Sequence, residues 1–379
     1  MRRADARDTA AIGPIVIAAG GTGGHFFPAE ALATELIRRG HAVVLMTDAR
    51  SGALTSTVFA GHPRHVLKGA GLAGRGLLRA AKAAFALFAG IVQARGLLAR
   101  LRPVAIVGFG GYPTVAPAIA ARLMHRRPAI ILHEQNGVLG RANRFLAGGA
   151  DVLALSLEQT ERVPADATSI VTGNPVRPAI MALAGGGYQA PSAIGEIRLL
   201  VLGGSLGARV FSDVVPAALA ALPADLRARL SVTQQCRQED LDRVRAAYAQ
   251  SGIQADLATF FGDVADRLGA AHLVIARAGA STVAELAVAG RPAILVPLPG
   301  AIDDHQSANA RALAAGGGAW VIPQPGFTPD ALAARLADLL AAPATLMRAA
   351  SAAAAAAPPN AASRLADLVE AHMHQEARS

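Results

Sequence analysis

Short apolar runs alternate with longer alanine-rich stretches along almost the whole chain. Ile15–Ala19, Ala42–Met46, Val104–Val107, Ala129–Leu132 and Val152–Leu155 are apolar at every position. Runs with no polar face predict strands covered on both sides, as in parallel sheets. A second series begins after Arg198, with Leu199–Leu202, Leu230–Thr233, Leu273–Ala276, Ala293–Val296 and Ala319–Ile322. The segments between runs read as helices, and the alternation predicts doubly wound α/β domains. Both series open alike: Ile15–Ala19 runs into Gly20-Gly-Thr-Gly-Gly-His25, and Leu199–Leu202 into Gly203-Gly-Ser-Leu-Gly-Ala-Arg209. The repetition predicts two similar domains, 1–176 and 177–360, joined within the Pro- and Gly-rich stretch from Val163 to about Ile197. Pro358-Pro359 breaks an alanine-rich helix, and a last helix, 361–379, is expected to cross back to the first domain.

Composition fits that picture. The 379 residues are 53% hydrophobic, 17% charged and only 4% aromatic, so a large core of Ala, Leu, Val and Ile is expected and extensive disorder is excluded. One cysteine, Cys236, rules out a disulfide framework or Cys-rich metal site. The net charge is +9, and Lys68 and Lys82 are the only lysines. An excess of positive charge points to an anionic partner. Aromatics interleaved for base stacking are missing, so nucleic acid is not expected. Ile15–Ala19 is too short for a signal-peptide core. The uncharged run Pro103–Ala121 holds three prolines and three glycines and reads as strand, loop and helix, not as a membrane span. The chain is expected to be soluble or peripheral to a membrane.

The candidate chemistry gathers where strands end. Gly20–Gly24 and Gly203–Gly207 each join a strand to a helix and can bring backbone N–H groups to an anion. Neither is a Walker A loop, and neither has the Gly-x-Gly-x-x-Gly spacing of dinucleotide binders. A third glycine turn, Gly108–Tyr112, follows Val104–Val107. In open α/β sheets ligands bind along this edge. Arg277-Ala-Gly-Ala-Ser-Thr-Val-Ala-Glu285 offers a helix start for a diphosphate and a carboxylate for a ribose diol; equally, Thr282-x-x-Glu285 is a capping box needing no ligand. His133-Glu-Gln-Asn136 ends a strand with four polar side chains, and Asp303-Asp-His-Gln306 with Asn309 has the same character. Both suit the reading of sugar hydroxyls or of an amide; a polar loop has the same pattern. Asp240-Leu-Asp242 sits in a charge-rich helical stretch and reads as a solvated face, and the ten histidines lack zinc spacing, so no metal is expected.

The segment 71–102 predicts an amphipathic helix. At about 100° per residue, Leu78, Phe85, Phe88 and Val92 fall within roughly an 80° sector, flanked by Arg75, Arg79 and Lys82. An apolar stripe bordered by cations fits an anionic membrane surface; a core-facing helix with a solvated edge has the same pattern.

Taken in order, GGTGGHFFPA, GFGGYPTVAP, LHEQNGVLGRANR, GNPVR, VLGGSLGAR, RAGASTVAEL and DDHQSANA resemble the MurG family of peptidoglycan glycosyltransferases. The resemblance implies a GT-B fold, two Rossmann-like domains with a cleft between them. It implies inverting, metal-independent and cofactor-free transfer of N-acetylglucosamine from UDP-N-acetylglucosamine to lipid I, giving lipid II, by a protein held peripherally at the cytoplasmic face of the inner membrane. Carried over by motif position, Thr22, Gly23, Gly24, Asn136, Arg177, Ser205, Phe261, Ala280, Ser281, Thr282, Val283, Ala284, Glu285 and Gln306 would bind the donor. Gly110, Gly111 and Tyr112 would lie near the acceptor diphosphate, and Arg75, Leu78, Arg79, Lys82, Phe85 and Phe88 near its lipid. Transfer to a sugar hydroxyl asks for a base. His25, beside the first glycine turn, is the first candidate and Glu134 the second. The rival readings are another GT-B enzyme (a lipid glycosyltransferase or a UDP-N-acetylglucosamine 2-epimerase), a nicotinamide-dependent oxidoreductase, and a non-catalytic nucleotide-sugar binding protein.

Overall fold

Each of the two apolar series builds its own parallel sheet. The computed structural model describes residues 13–20, 23–48, 56–67, 77–204 and 207–376. The first half runs β1 (Ile15–Ala18), α1 (Gly23–Arg38), β2 (Val43–Asp48), β3 (Arg64–Leu67), α2 (Leu77–Leu101), β4 (Ala105–Gly108), α3 (Tyr112–Arg122), β5 (Ala129–Glu134), α4 (Arg141–Leu146), β6 (Val152–Leu155) and β7 (Ser169–Val171). Its sheet has the order β3-β2-β1-β4-β5-β6-β7. After α5 (Pro178–Met181) the second half runs β8 (Ile197–Leu202), α6 (Arg209–Ala220), α7 (Ala224–Arg227), β9 (Leu230–Gln235), α8 (Leu241–Gln250), β10 (Gln254–Ala258), α9 (Val264–Ala270), β11 (Leu273–Ala276), α10 (Ala280–Ala289), β12 (Ala293–Leu295), α11 (His305–Ala315) and β13 (Ala319–Val321). Its sheet has the order β10-β9-β8-β11-β12-β13. Three helices follow: α12 (Pro329–Leu340), α13 (Pro343–Ala356) and α14 (Ala361–Glu376).

Helices cover both faces of each sheet, which is why β1, β4, β6 and β11 are buried at every position. Local chemistry sets several boundaries. Thr328 caps α12 by accepting the N–H of Ala331, and Pro329 occupies the first helical position. Gly290, at φ 59°, ends α10 in the left-handed conformation. Pro358 stops the alanine run of α13, because the residue before a proline avoids helical angles.

Three strands were not predicted from the pattern. β3, β7 and β10 lie at sheet edges, and apart from Leu67 their residues are exposed or half-buried. An edge strand buries too little to need an apolar run. The stretch 163–197, expected to hold the domain connection, still contributes β7 to the first sheet. Val176 and Ile180 already pack in the second core, so the crossing falls between them, at 172–175.

The chain crosses a second time after Pro358. Leu365, Ala366, Leu368, Val369 and Met373 of α14 share one buried cluster with Phe26, Leu32 and Leu36 of α1. A polar clamp flanks this contact. Arg39 Nη1 donates to Asp367 (2.6 Å) and Glu370 (2.7 Å), its Nη2 to Ser363 Oγ (2.6 Å), and its Nε to Glu35 (2.8 Å). His41 Nε2 pairs with Glu370 at 2.7 Å. Arg39 keeps only 16% of its side chain exposed, so its loss leaves carboxylates without their cation in a half-shielded place. Arg39→Met is expected to lower the unfolding free energy by about 2 kcal/mol in urea titrations. A loss below about 0.5 kcal/mol, the range of ordinary surface changes, would show that apolar contact alone holds α14.

Candidate functional site

In the first sheet the strand order reverses between β1 and β4, and in the second between β8 and β11. Such switch points open a crevice at the carboxyl ends of the strands. The glycine turns and the 277–285 segment lie at these two crevices. Gly110 and Gly111, at φ 79° and 69°, take angles that a side chain resists, and they bring the start of α3 beside α1. The two crevices meet: Ser281 Oγ, in the first turn of α10, donates to the carbonyl of Gly24 at 3.4 Å. Of the expected site residues, Thr22, Ser205 and Arg75 lie outside the described residues.

Buried Asn309 joins the two halves. Its Oδ1 accepts the N–H of Gly137 (2.8 Å), and its Nδ2 donates to Asn136 Oδ1 (3.2 Å) and to the carbonyl of Ala278 (3.0 Å). A second contact between the halves is ionic. Asp303 receives Arg162 at 2.6 Å, with Arg141 and Arg144 at 3.4 and 3.8 Å. The hydrogen bond from Arg162 holds the Asp303 carboxyl below its ordinary value. Asp303 and Asp304 both have positive φ, 55° and 53°. This strained turn leads into the first turn of α11, where Gln306 Oε1 accepts the N–H of Leu298 at 3.0 Å.

His25 is the end of a directional relay. Buried His133 lies 3.0 Å through Nε2 from the carbonyl of Gly173, so Nε2 must carry the proton. Its Nδ1 is then an acceptor, and the amide nitrogen of Gln135 donates to it at 3.0 Å. That fixes the orientation of Gln135, whose Oε1 accepts from His25 Nδ1 at 2.8 Å. His25 is thereby left with its basic nitrogen at Nε2, on the side of the ring that faces Gly110 and Gly111. Burial pushes His133 down to about 4, which keeps the first member of the relay neutral.

Glu134 is differently employed. Its Oε1 accepts the backbone and side-chain N–H groups of Asn136 (3.1 and 3.0 Å), and its Oε2 accepts Gly140 N (2.8 Å) and Asn143 Nδ2 (2.9 Å). Four donors occupy a carboxylate that is 2% exposed. It pins the 134–143 loop and, through Asn136, the contact with Asn309.

In the second half Arg177 and Glu285 form a pair. Nε and Nη2 of Arg177 donate to Glu285 Oε1 at 3.0 and 2.8 Å, and the guanidinium lies 4.9 Å over the ring of Phe27. Burial raises the Glu285 carboxyl, and Arg177 pulls against it. The capping-box reading of Thr282 and Glu285 fails here. α10 begins at Ala280 with Gly279 as its cap and no side-chain cap bond, so Thr282 is already the third helical residue. Phe261 is buried beneath the guanidinium of Arg267, 4.1 Å from its ring centre, while the neighbouring Phe260 is 75% exposed. Val283 and Ala284 turn their side chains to the seam between the halves, away from Glu285. Gln135, Asn143 and Phe27 were not singled out from the sequence. The signal for Gln135 was strand alternation, which puts it on the same side as His133.

The apolar stripe of α2 is on the surface. Phe85 is 74% exposed, and Phe88 and Val92 are also exposed, as is Lys82. Ala94 and Leu98, further along, are buried and seat the helix on its domain. The core-facing alternative is therefore overturned for Phe85 and Phe88. The side chains of Leu78 and Arg79 lie outside the described residues. Residues 81–101 are long and apolar enough to cross a membrane by length and composition alone. Among the described residues no group of three or more His, Cys, Asp or Glu is placed to hold a metal.

Two Rossmann-like domains meeting along their switch points define a GT-B glycosyltransferase. Residues 15–154 match the glycosyltransferase family 28 N-terminal domain and residues 198–365 its C-terminal domain. A relative from Granulibacter bethesdensis is 66% identical over 94% of this chain and 93% of its own. One from Acidiphilium cryptum is 55% identical over 97% and 99%. Both are named UDP-N-acetylglucosamine--N-acetylmuramyl-(pentapeptide) pyrophosphoryl-undecaprenol N-acetylglucosamine transferase. The crystal structure of MurG from Acinetobacter baumannii superposes with a TM-score of 0.76 at 30% identity, covering 95% of this chain and 99% of that one. The calicheamicin glycosyltransferase CalG4 shares the fold, with a TM-score of 0.61 at 16% identity and 96% and 98% coverage. The chain belongs to glycosyltransferase family 28 and, within it, to the MurG family, which sets aside the oxidoreductase and epimerase readings.

The relay depends on a neutral His133. Its imidazole resonances are expected to stay unchanged from pH 8 down to about 5. Since its folded-state value lies below the ordinary 6.5, stability is fully present above 6.5 and is lost as pH falls towards 4. A His133 titration midpoint near 6.5 would remove the tautomer assignment of His25.

Proposed function

We propose that the cleft transfers N-acetylglucosamine from UDP-N-acetylglucosamine to the muramoyl hydroxyl of lipid I, forming lipid II. The observation that carries the mechanism is the relay from Gly173 through His133 and Gln135. It leaves the basic nitrogen of His25 towards Gly110 and Gly111, in the half opposite the Arg177–Glu285 pair.

The donor's ribose diol hydrogen-bonds the Glu285 carboxylate and takes over the acceptor that now holds Arg177. The guanidinium, already positioned by Phe27, then turns to the diphosphate. As the bond from the anomeric carbon to the diphosphate breaks, positive charge grows on the sugar ring and negative charge on UDP. Arg177 and the N-terminal N–H groups of α1 and α10 oppose that negative charge. Gly23, Gly24 and Ser281 lie in this region, and Thr22 and Ser205 are assigned to it by motif position alone. Asn136 and Gln306 hold the sugar, each backed by a fixed hydrogen bond. His25 Nε2 takes the proton of the attacking hydroxyl, and attack from the face opposite UDP inverts the anomeric centre. Glu134, with all its acceptor positions engaged, fixes the loop instead of acting as the base.

The acceptor's diphosphate lies near Gly110, Gly111 and Tyr112, and its lipid lies along α2. Phe85, Phe88 and Val92 enter the interface, and Lys82 meets anionic headgroups. This reading makes the protein peripheral to the inner face of the membrane.

Transfer of labelled N-acetylglucosamine to a short-chain lipid I analogue is expected to proceed in the presence of EDTA. His25→Gln is expected to lower kcat by about 10²-fold or more with donor affinity nearly unchanged, the range for loss of a general base. Glu285→Ala is expected to weaken the donor about tenfold or more. Full turnover by His25→Gln would place the base elsewhere. Replacing Phe85 and Phe88 with Ser is expected to release the protein from anionic vesicles while leaving transfer to the short-chain acceptor intact; unchanged vesicle binding would exclude α2 as the anchor.

A further inference from the structure

Five non-glycine residues among the described residues have positive φ, and three of them meet at one ion pair across the seam. Arg162 (φ 63°) stands in the first domain; Asp303 (φ 55°) and Asp304 (φ 53°) stand in the second. Such angles cost energy in a residue with a Cβ and persist only where surrounding contacts hold them. Here the contact is ionic: Nη1 of Arg162 donates to Asp303 Oδ1 at 2.6 Å.

The two sides of this pair are anchored unequally. Glu161, beside Arg162, is tied to the loop that Glu134 pins. Its N–H donates to the carbonyl of Gly137 (2.8 Å), and its carbonyl accepts the N–H of Leu139 (2.9 Å). Its carboxylate also meets Arg311 of α11 at 3.3 Å. The turn 298–304 has a poorer footing. Leu298 and Ile302 are 43% and 63% exposed, so burial does little to hold it. Its backbone bonds, Ala301 N to Leu298 O (3.3 Å) and Asp304 N to Ala301 O (2.9 Å), close the turn on itself. Asp303 is the side chain that reaches the other domain, and it keeps only 13% of its surface exposed among Arg162, Arg141 and Arg144.

This turn controls the amide of Gln306. The backbone of Gln306 belongs to α11, but its Oε1 accepts the N–H of Leu298, which the turn carries. An amide held by its oxygen offers its Nε2 hydrogens to a sugar hydroxyl. We propose that Arg162 is a positioning residue for the donor sugar: from the acceptor's domain it holds the turn that aims Gln306. The inference rests on the assignment of Gln306 to the sugar in the proposed reaction. When the domains part, the ion pair breaks, the turn relaxes and the amide loses its fixed direction. The sugar is then gripped firmly only while the domains meet, whereas the ribose, on Glu285, depends on the second domain.

The test is calorimetry on the full chain with UDP-N-acetylglucosamine and with UDP. Arg162→Gln is expected to raise the Kd of UDP-N-acetylglucosamine about fivefold, within the range for one hydrogen bond, and to leave that of UDP within about twofold. Asp303→Asn, which keeps a residue tolerant of left-handed angles, is expected to give the same split, and the double variant no more than either single one. In a Gln306→Ala background, itself weakened towards the nucleotide sugar, Arg162→Gln is expected to add nothing. Equal losses for both ligands would overturn the proposal, because Arg162 would then serve the fold alone. So would unchanged sugar-nucleotide affinity in Arg162→Gln beside a loss in Gln306→Ala. Unchanged affinity in Gln306→Ala would instead remove that residue from the sugar site, and the proposal with it.

Discussion

A parallel sheet delivers the carboxyl end of every strand to one edge, and the rest of this molecule depends on that constraint. Each domain thereby collects its glycine turns, its helix N-termini and its strand-end polar residues along a single line. Setting two such edges against each other makes a cleft bordered by glycine turns and helix N-termini, whose backbone N–H groups can face an anion. Asn309 keeps the alignment. It bonds to Gly137 and Asn136 on one side and Ala278 on the other, so a single buried amide ties the loop after β5 to the loop before α10.

The polar residues at the end of β5 show how strand geometry divides labour. Side chains alternate across a strand, so His133 and Gln135 fall to one side, Glu134 and Asn136 to the other. The first pair carries a hydrogen-bond relay from the Gly173 carbonyl to His25. The second pair holds the loop and, through it, the neighbouring domain. Four consecutive polar residues thus serve two structural circuits, which meet at the His133 carbonyl, where Gln135 Nε2 and Asn143 Nδ2 both donate.

The central strands were legible from the sequence because each must be apolar on both faces. β6 and β11 coincide with their predicted limits, Val152–Leu155 and Leu273–Ala276. The edge strands β3, β7 and β10 were invisible because they bury too little. Motif order revealed the family, since it depends on short segments in sequence and not on packing. The Arg177–Glu285 pair and the tautomer of His25 were not legible, because both are set by partners 108 and 110 residues away. The stripe on α2 was visible from periodicity. Whether it faced core or solvent was decided only by which residues α3 covers, and that is a property of the whole domain.

The return of α14 gives the first domain a core drawn from both ends of the chain. Leu365 and Val369 stand in the same cluster as Ile15 and Ile17, some 350 residues earlier. During synthesis the first sheet emerges early, but the face on which α1 lies stays incompletely covered until α14 has left the ribosome. The second domain, continuous in sequence, can close its own core before that. The domain made first is therefore the last able to complete its core, and through that interval it presents apolar surface.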